Sequence, residues 1–216
     1  MKTILFQGDS ITDMCRSRED VGNLGIGYPT LVASSLGLKC PGEYNFINRG
    51  VNGSRIVDLY ARIKSDIINL RPDVISILIG VNDVAHEFNG LCNGVDADKY
   101  YKIYCMLIDE IQQALPEVKI MILEPFALKG SLTESDWERF RIEVSGRAEK
   151  ARQVAETYNL TFISLQEKFD AANELYSENV WLADGVHPTS AGHELIKTEW
   201  INAFQRMTRR NPSGNY

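Results

Sequence analysis

Five short, nearly continuous apolar runs recur along the chain, and segments with helical periodicity separate them. Such runs are typical of strands in a parallel sheet, because helices on both faces of that sheet bury both sides of each strand. The pattern therefore predicts an α/β fold, a three-layer α/β/α sandwich around a five-stranded parallel sheet. The predicted strands are Thr3–Phe6, Tyr44–Asn48, Val74–Ile79, Lys119–Leu123 and Thr161–Leu165.

The segments between the strands place apolar residues three or four positions apart, as a helix with one buried face does. In the last segment this stripe consists of Ile196, Trp200 and Phe204. A chain of 216 residues can build one sizeable core, so we expect a single domain over residues 1–208 and a loose tail over 209–216. The stripe before the fourth strand consists of Tyr101, Tyr104, Cys105, Ile108, Ile111 and Leu115.

The composition excludes several classes of protein. A net charge of −6 argues against a general nucleic-acid binder, which needs a basic face to meet phosphates. No run reaches the roughly 18 apolar residues of a membrane-spanning helix, and the first apolar run is too short for a signal peptide. We therefore expect no membrane partner and a cytoplasmic location, with a homo-oligomer left open. The cysteines fit a reducing compartment, since they lack any metal-binding or redox spacing: Cys15, Cys40, Cys92 and Cys105.

Polar and glycine-rich residues gather where the first three predicted strands end. Gly8–Ser10 follows the first strand, Gly50–Gly53 the second and Gly80–Asp83 the third. In parallel α/β sheets the ligand crevice lies outside the carboxyl ends of the strands. The clustering therefore predicts one active site at this edge.

Ser10 is the candidate nucleophile, and His187 is its candidate base. A serine hydroxyl is a poor nucleophile at neutral pH, so it needs a base and a group that orients the base. His187 has Asp184 three residues before it, close enough for the two side chains to meet on one face of a turn. Pro188 disfavours helical geometry at His187, which places the imidazole on a loop. This is the logic of the serine triad. The alternative is a turn in which Asp184 merely caps the next helix.

An oxyanion needs fixed N–H donors that point at one position. The candidates are the backbone N–H groups of Ser10 and Gly53 and the side-chain amide of Asn82. Glycine at position 53 allows a close approach of main chain to substrate. The alternatives are an ordinary turn glycine at Gly53 and a local Asx turn at Asn82.

Four blocks in this order resemble those of the SGNH (GDSL-type) hydrolases. They are Gly8–Asp13, Asn48–Gly53, Gly80–Asp83 and Asp184–Pro188, and together they span the chain. The resemblance implies a flavodoxin-like α/β/α fold without a metal or cofactor. It further implies a triad of Ser10, His187 and Asp184, with an oxyanion hole formed by Ser10, Gly53 and Asn82.

A narrower resemblance connects the chain with the intracellular acetylxylan esterases of that family. It is carried by Gly8–Asp13, Leu24–Tyr28, Asn82–Val84 and His187–His193. It implies a small-molecule ester substrate, an acetylated oligosaccharide, which a carbohydrate O-deacetylase would cleave through an acyl-enzyme. Met14, Cys15 and Ala183 depart from the pattern of that group. The alternatives are a lysophospholipase or thioesterase with the same triad and a non-catalytic carbohydrate-binding module.

Several other side chains lie near the predicted site. We assign Asp9 and Asp83 to substrate binding, with helix capping as the alternative for Asp9 and for Asp13. Trp181 is either a sugar-stacking ring or a packed core aromatic. His86 is expected in a solvated loop, and His193 on the last helix, where a metal site is a remote alternative. Two segments, 87–96 and 126–136, are predicted to be loops at the mouth of the site that carry specificity.

Overall fold

The computed structural model of the protein describes residues 1–176 and 178–209. Its five strands form one sheet in the order β2-β1-β3-β4-β5, and every neighbouring pair is parallel. This is the flavodoxin-like order, in which the direction of winding changes between β1 and β3. The predicted fold class is confirmed. The strands are β1 (Lys2–Gly8), β2 (Tyr44–Asn48), β3 (Val74–Leu78), β4 (Lys119–Leu123) and β5 (Thr161–Ile163).

Helices cover both faces of the sheet and bury two separate apolar clusters. One cluster holds residues of α2 and α10, the other residues of α3 and α6, and α7 contributes to both. The described helices are α1 (Ser10–Asp13), α2 (Tyr28–Lys39), α3 (Ile56–Ala61), α4 (Ile63–Asp66), α5 (Val81–Phe88), α6 (Ala97–Ala114), α7 (Trp137–Thr157), α8 (Gln166–Leu175), α9 (Glu178–Trp181) and α10 (Ser190–Arg209). None of these helices combines the length and the apolar character that crossing a membrane requires.

The strands supply side chains to the two clusters in alternation. In β1, Ile4 and Phe6 face the α2/α10 side, whereas Leu5 faces the α3/α6 side. Because successive side chains of a strand point to opposite faces, an uninterrupted apolar run fits a sheet buried on both sides. The indole of Trp200, fully buried, donates from Nε1 to Ser76 Oγ at 2.8 Å and so links α10 to β3.

Three local predictions need correction. The fifth strand ends at Ile163, and the backbone N–H groups of Leu165 and Gln166 bond to the Glu124 carboxylate instead of a strand. His86 lies on α5, so the following loop is shorter than predicted and begins at Asn89. The buried stripe of α6 is rotated from the predicted one and consists of Tyr100, Tyr104, Leu107, Ile108 and Ile111.

The predicted loose tail falls almost entirely outside the described residues. Arg209 is the last residue of α10, and positions 210–216 are not among the residues that the structure describes.

Candidate active site

Ser10, His187 and Asp184 form a continuous hydrogen-bonded chain of side chains. Ser10 Oγ lies 2.9 Å from His187 Nε2, and His187 Nδ1 lies 2.7 Å from Asp184 Oδ2. The imidazole is thus held between a hydroxyl and a carboxylate, one at each ring nitrogen. This is the geometry that nucleophile activation by a histidine base requires.

The Asp184 carboxylate shapes the loop on which His187 lies. Its Oδ1 accepts the backbone N–H groups of Val186 and His187 at 2.9 and 2.8 Å, which leaves Oδ2 for the imidazole. Gly185 has a φ of +95°, a conformation that favours glycine. The loop therefore folds around the same carboxylate that orients the ring.

The segment 126–136 packs against this loop and supports it. Phe126 and Leu128 are buried, and the backbone N–H groups of Leu128 and Leu132 donate to the carbonyl groups of Gly185 and Asp184, both at 2.9 Å. The first residues of the segment are therefore core, whereas Leu132 is 57% exposed and a role of the exposed remainder in specificity stays a prediction.

Ser10 begins helix α1 directly after the turn that ends β1. Asp9 is the N-cap, and its Oδ1 accepts the Ile11 N–H at 3.0 Å. At Gly8 a Cβ atom would lie only 2.3 Å from the Leu78 carbonyl oxygen, so the turn demands glycine. The close approach of β1 and β3 sets where Ser10 stands.

The loop after β2 packs directly on this helix turn. A Cβ atom at Gly50 would lie 2.3 Å from the backbone nitrogen of Asp13. The loop then makes a four-residue turn closed by the Ser54 N–H on the Val51 carbonyl at 3.1 Å, and Gly53 has a φ of +75°. A positive φ at the third position is what a type II turn requires, and glycine supplies it.

Asn82 and Asp83 connect helix α5 to the far side of that loop. Asn82 Nδ2 donates to the Ser54 carbonyl at 3.2 Å, and the Asp83 carboxylate accepts the Ile56 N–H at 3.1 Å. The turn that carries Gly53 is therefore held from α1 on one side and from α5 on the other.

Asp9 and Asp83 are buried and bonded to backbone N–H groups, so this geometry does not favour the prediction that they bind substrate. Their exposed fractions are 1% and 0%, because Asp9 caps α1 and Asp83 holds the start of α3. Burial raises the pKa of Asp9 to about 7, against the lowering by its hydrogen bond from Ile11. Burial likewise raises the pKa of Asp83 well above its ordinary value.

A cavity of about 350 Å³ opens at the Ser10–His187 pair. That volume lies within the usual range for small-molecule sites. From the sequence, none of the other lining residues was predicted to bind substrate, and Met14 and Cys15 were noted only as departures from the acetylxylan esterase pattern. These lining residues are Asp13, Met14, Cys15, Arg18 and Asn52.

A second cavity, of about 580 Å³, lies at the opposite edge of the sheet, where β4 begins at Lys119 and β5 at Thr161.

The charges around the imidazole favour a base that is ready to accept a proton. The hydrogen bond to Asp184 raises the pKa of His187 above its ordinary value, and partial burial opposes this only in part. Burial raises the pKa of Asp184, but the hydrogen bonds from His187 and Val186 outweigh it and lower the pKa overall. The carboxylate thus stays charged and stabilises the imidazolium that forms when the base takes a proton.

Two further candidates lie beside the site. Trp181 is partly buried and packs against the α2/α10 cluster, which favours the core alternative. His193 is 1% exposed on α10, and its Nδ1 accepts the Tyr28 N–H at 3.1 Å. Within residues 1–176 and 178–209, no three side chains of the metal-binding types come together.

Known proteins with similar sequences and structures identify the family of the chain. Residues 6–195 match the family described as GDSL-like Lipase/Acylhydrolase. An acetylxylan esterase of Geobacillus stearothermophilus is 34% identical over 207 residues, which are 92% of this chain and 91% of that protein. A crystal structure described as a GDSL-like lipase of Parabacteroides merdae is similar with a TM-score of 0.88 and 33% identity, over 94% of this chain and 95% of that one.

Structures of Axe2, an acetylxylan esterase from Geobacillus stearothermophilus, are also similar. A catalytic mutant of Axe2 has a TM-score of 0.84 and 28% identity, over 94% of this chain and 93% of that one. The catalytic mutants of Axe2 each replace an aspartate, a serine or a histidine by alanine. The replaced aspartate and histidine lie three residues apart, which is also the spacing of Asp184 and His187.

Proposed function

Because the chain belongs to the GDSL-like lipase/acylhydrolase family and is a carboxylic ester hydrolase, we propose that it is a carbohydrate O-deacetylase with Ser10 as nucleophile. One observation carries the proposal: the Ser10 hydroxyl lies 2.9 Å from an imidazole whose other nitrogen lies 2.7 Å from a carboxylate.

The proposed reaction has two steps on the same three side chains. His187 Nε2 takes the Ser10 proton while Oγ attacks the ester carbonyl, and His187 then gives that proton to the leaving sugar hydroxyl. An acetyl group stays on Oγ. In the second step His187 takes a proton from water as the water oxygen attacks the acyl carbon. The bond from that carbon to Oγ then breaks, His187 returns the proton to Oγ, and acetic acid leaves and ionises to acetate. Asp184 holds the ring and stabilises its charged form in both steps.

The proposed oxyanion hole consists of the Ser10 and Gly53 N–H groups and the Asn82 amide. Neither of these two backbone N–H groups has a hydrogen-bond partner among the residues that the structure describes. A donor without a partner is available to the developing oxyanion, where it stabilises the transition state more than the ground state. Asn82 keeps one amide N–H for the same purpose, since it uses the other on the Ser54 carbonyl.

The walls of the cavity support a short acyl group and a polar alcohol. Arg18 and Asn52 bring a guanidinium and an amide, which sugar hydroxyls bind, to a space of about 350 Å³. The apolar part of the same wall, Met14 and Cys15, offers contacts to a short acyl group. The similarity to an acetylxylan esterase supports the same substrate class, acetylated xylo-oligosaccharides.

The nucleophile is tested with Ser10→Ala. The variant is expected to lose turnover of 4-nitrophenyl acetate while its circular dichroism and melting temperature stay close to wild type. A fluorophosphonate should label the wild-type protein at Ser10 and leave the variant unlabelled. Retained turnover in a preparation free of wild-type enzyme would overturn the assignment.

The substrate class is tested with two panels on the same enzyme preparation. In the first panel, acetate release is measured from acetylated xylo-oligosaccharides, with the deacetylated sugars as the blank. In the second, kcat/KM is compared for 4-nitrophenyl esters from C2 to C12. We expect kcat/KM to fall steeply beyond C4. Equal or faster turnover of C8–C12 esters would favour a lysophospholipase or thioesterase instead.

A further inference from the structure

We propose that Asp13 is a positioning residue, which holds the Asn52 backbone and thereby directs the Gly53 N–H toward the ester oxygen. The inference rests on the proposed function, since it assigns how one of the proposed oxyanion donors is held.

The Asp13 carboxylate joins three segments at the edge of the cavity. Its Oδ2 accepts the backbone N–H of Asn52 at 3.1 Å and the Arg18 guanidinium at 3.0 Å. The side chain is 10% exposed, so water competes little for these bonds. Asp13 is the last residue of α1, three positions after Ser10, and a shift of that helix would move nucleophile and carboxylate together.

The contact lies one peptide before the proposed donor. Asn52 and Gly53 are the two central residues of the turn that Ser54 closes on Val51. The peptide plane between these central residues carries the Gly53 N–H, and it is free to rotate when its neighbours are not held. Asp13 holds the plane that precedes it, and the bond from the Ser54 N–H to the Val51 carbonyl holds the plane that follows it.

The capping alternative does not describe Asp13. Asp9 already caps α1, and Asp13 lies at the opposite end of that helix. The packing of Gly50 against the Asp13 backbone brings the two segments close enough for the carboxylate to reach across. The bond then fixes the position of the turn, and with it the Gly53 N–H, relative to Ser10. An oxyanion donor needs such precision, because a misplacement of about 1 Å costs about 100-fold in rate.

The test compares three variants with 4-nitrophenyl acetate. Asp13→Ala removes the acceptor, and we expect kcat to fall about 10- to 100-fold with KM within about threefold of wild type. Asp13→Asn keeps an oxygen for the Asn52 N–H and should restore most of kcat. Asp73→Ala is the matched control: the Asp73 carboxylate accepts the Thr3 N–H at 2.7 Å, at the opposite edge of the sheet, and its loss should leave kcat unchanged.

Inactivation by a fluorophosphonate gives a second readout on the same variants. Asp13→Ala should lower the maximal inactivation rate and leave the inhibitor concentration at half-maximal rate unchanged, because the oxyanion contacts act at the reacting phosphorus.

Three results would overturn the proposal and leave the proposed function intact. They are a kcat in Asp13→Ala close to wild type, a raised KM with unchanged kcat, which would make Asp13 a substrate ligand, and an Asp13→Asn variant as impaired as Asp13→Ala. Turnover that survives Ser10→Ala would instead remove the proposed function itself.

Discussion

Ser10 Oγ lies 2.9 Å from His187 Nε2, although 177 positions of sequence separate the two residues. The sheet order explains the meeting. Ser10 follows β1 at the point where the winding direction changes, and helices α2 and α10 share one face of the sheet beside β1. The loop that precedes α10 therefore brings His187 to the carboxyl end of β1.

The first prediction concerns the acid limb of the pH profile. His187 acts as a base only when neutral, and its hydrogen bond to Asp184 raises its pKa, so kcat/KM should rise with pH through a value above 6.5. In Asp184→Asn the raising charge is gone, and the midpoint should move to lower pH while the plateau falls about 10³- to 10⁴-fold. Initial rates between pH 5 and 9 check both effects, and an unmoved midpoint would contradict the link between the two side chains.

The second prediction concerns the backbone at Gly53. A Cβ atom there meets nothing within 4 Å, so Gly53→Ala acts only through its φ of +75°. The left-handed conformation costs an alanine about 1 kcal/mol or more, and the turn should relax and turn its N–H away. We expect a loss of kcat of at least about tenfold, as for a misdirected oxyanion donor.

A matched glycine separates backbone strain from function. Gly42 has a φ of +77° with the same open surroundings, and it lies before β2, at the edge of the sheet away from Ser10. Gly42→Ala should lower the melting temperature about as much as Gly53→Ala and leave kcat unchanged. Equal kcat in the two variants would remove Gly53 from the oxyanion hole.

The third prediction concerns the Asn82 amide. Asn82→Ala removes both the proposed oxyanion donor and the bond to the Ser54 carbonyl, so kcat should fall about 10²- to 10³-fold with a smaller change in KM. Asn82→Asp keeps the shape but places a carboxylate near the developing negative charge, and it should be at least as slow. Steady-state kinetics test this prediction. A decrease in kcat below threefold in Asn82→Ala would exclude Asn82 as an oxyanion donor.

How far the sequence predicts the molecule depends on the kind of interaction. The five strands could be predicted because burial on both faces leaves an uninterrupted apolar run. Their ends shift by one or two residues at β1, β3 and β5, and at β5 the Glu124 carboxylate accepts the N–H groups of Leu165 and Gln166. The stripe of α6 was displaced because Tyr100 and Tyr101 are equally apolar by pattern, and only packing against α3 and α7 decides which is buried.

The site follows the same division. The spacing of Asp184 and His187 predicts their contact, since both lie in one turn. The partners of Asp83 and Asp13 are 27 and 39 positions away, and no local pattern reports them. From its place in a motif, Asp83 was predicted to bind substrate. In the structure its carboxylate accepts the Ile56 N–H and so holds the end of the loop that carries Gly53.

The last prediction concerns acid stability and His193. Burial, together with a smaller effect of the neighbouring His187, lowers the pKa of this histidine to about 4. Between pH 6.5 and about 4, His193 is therefore protonated in the unfolded chain but neutral in the folded protein. Its contribution to the free energy of unfolding decreases as the pH falls through this range. The full effect is at most about 3 kcal/mol. The pKa of Asp9 is raised, so its contribution to the free energy of unfolding increases as the pH falls over part of this range. The experiment must therefore separate the effect of His193 from that of Asp9.

His193→Asn provides that comparison. Its amide oxygen takes the place of Nδ1, which accepts the Tyr28 N–H, and it does not titrate. Both proteins are unfolded in urea at pH 7.5, 5.5 and 4.5. The free energy of unfolding of the variant should increase relative to that of wild type as the pH decreases. Asp9, Asp184 and His187 are present in both proteins, so their contributions largely cancel in the difference. A difference that stays constant across the three pH values would mean that His193 does not titrate as a buried neutral imidazole.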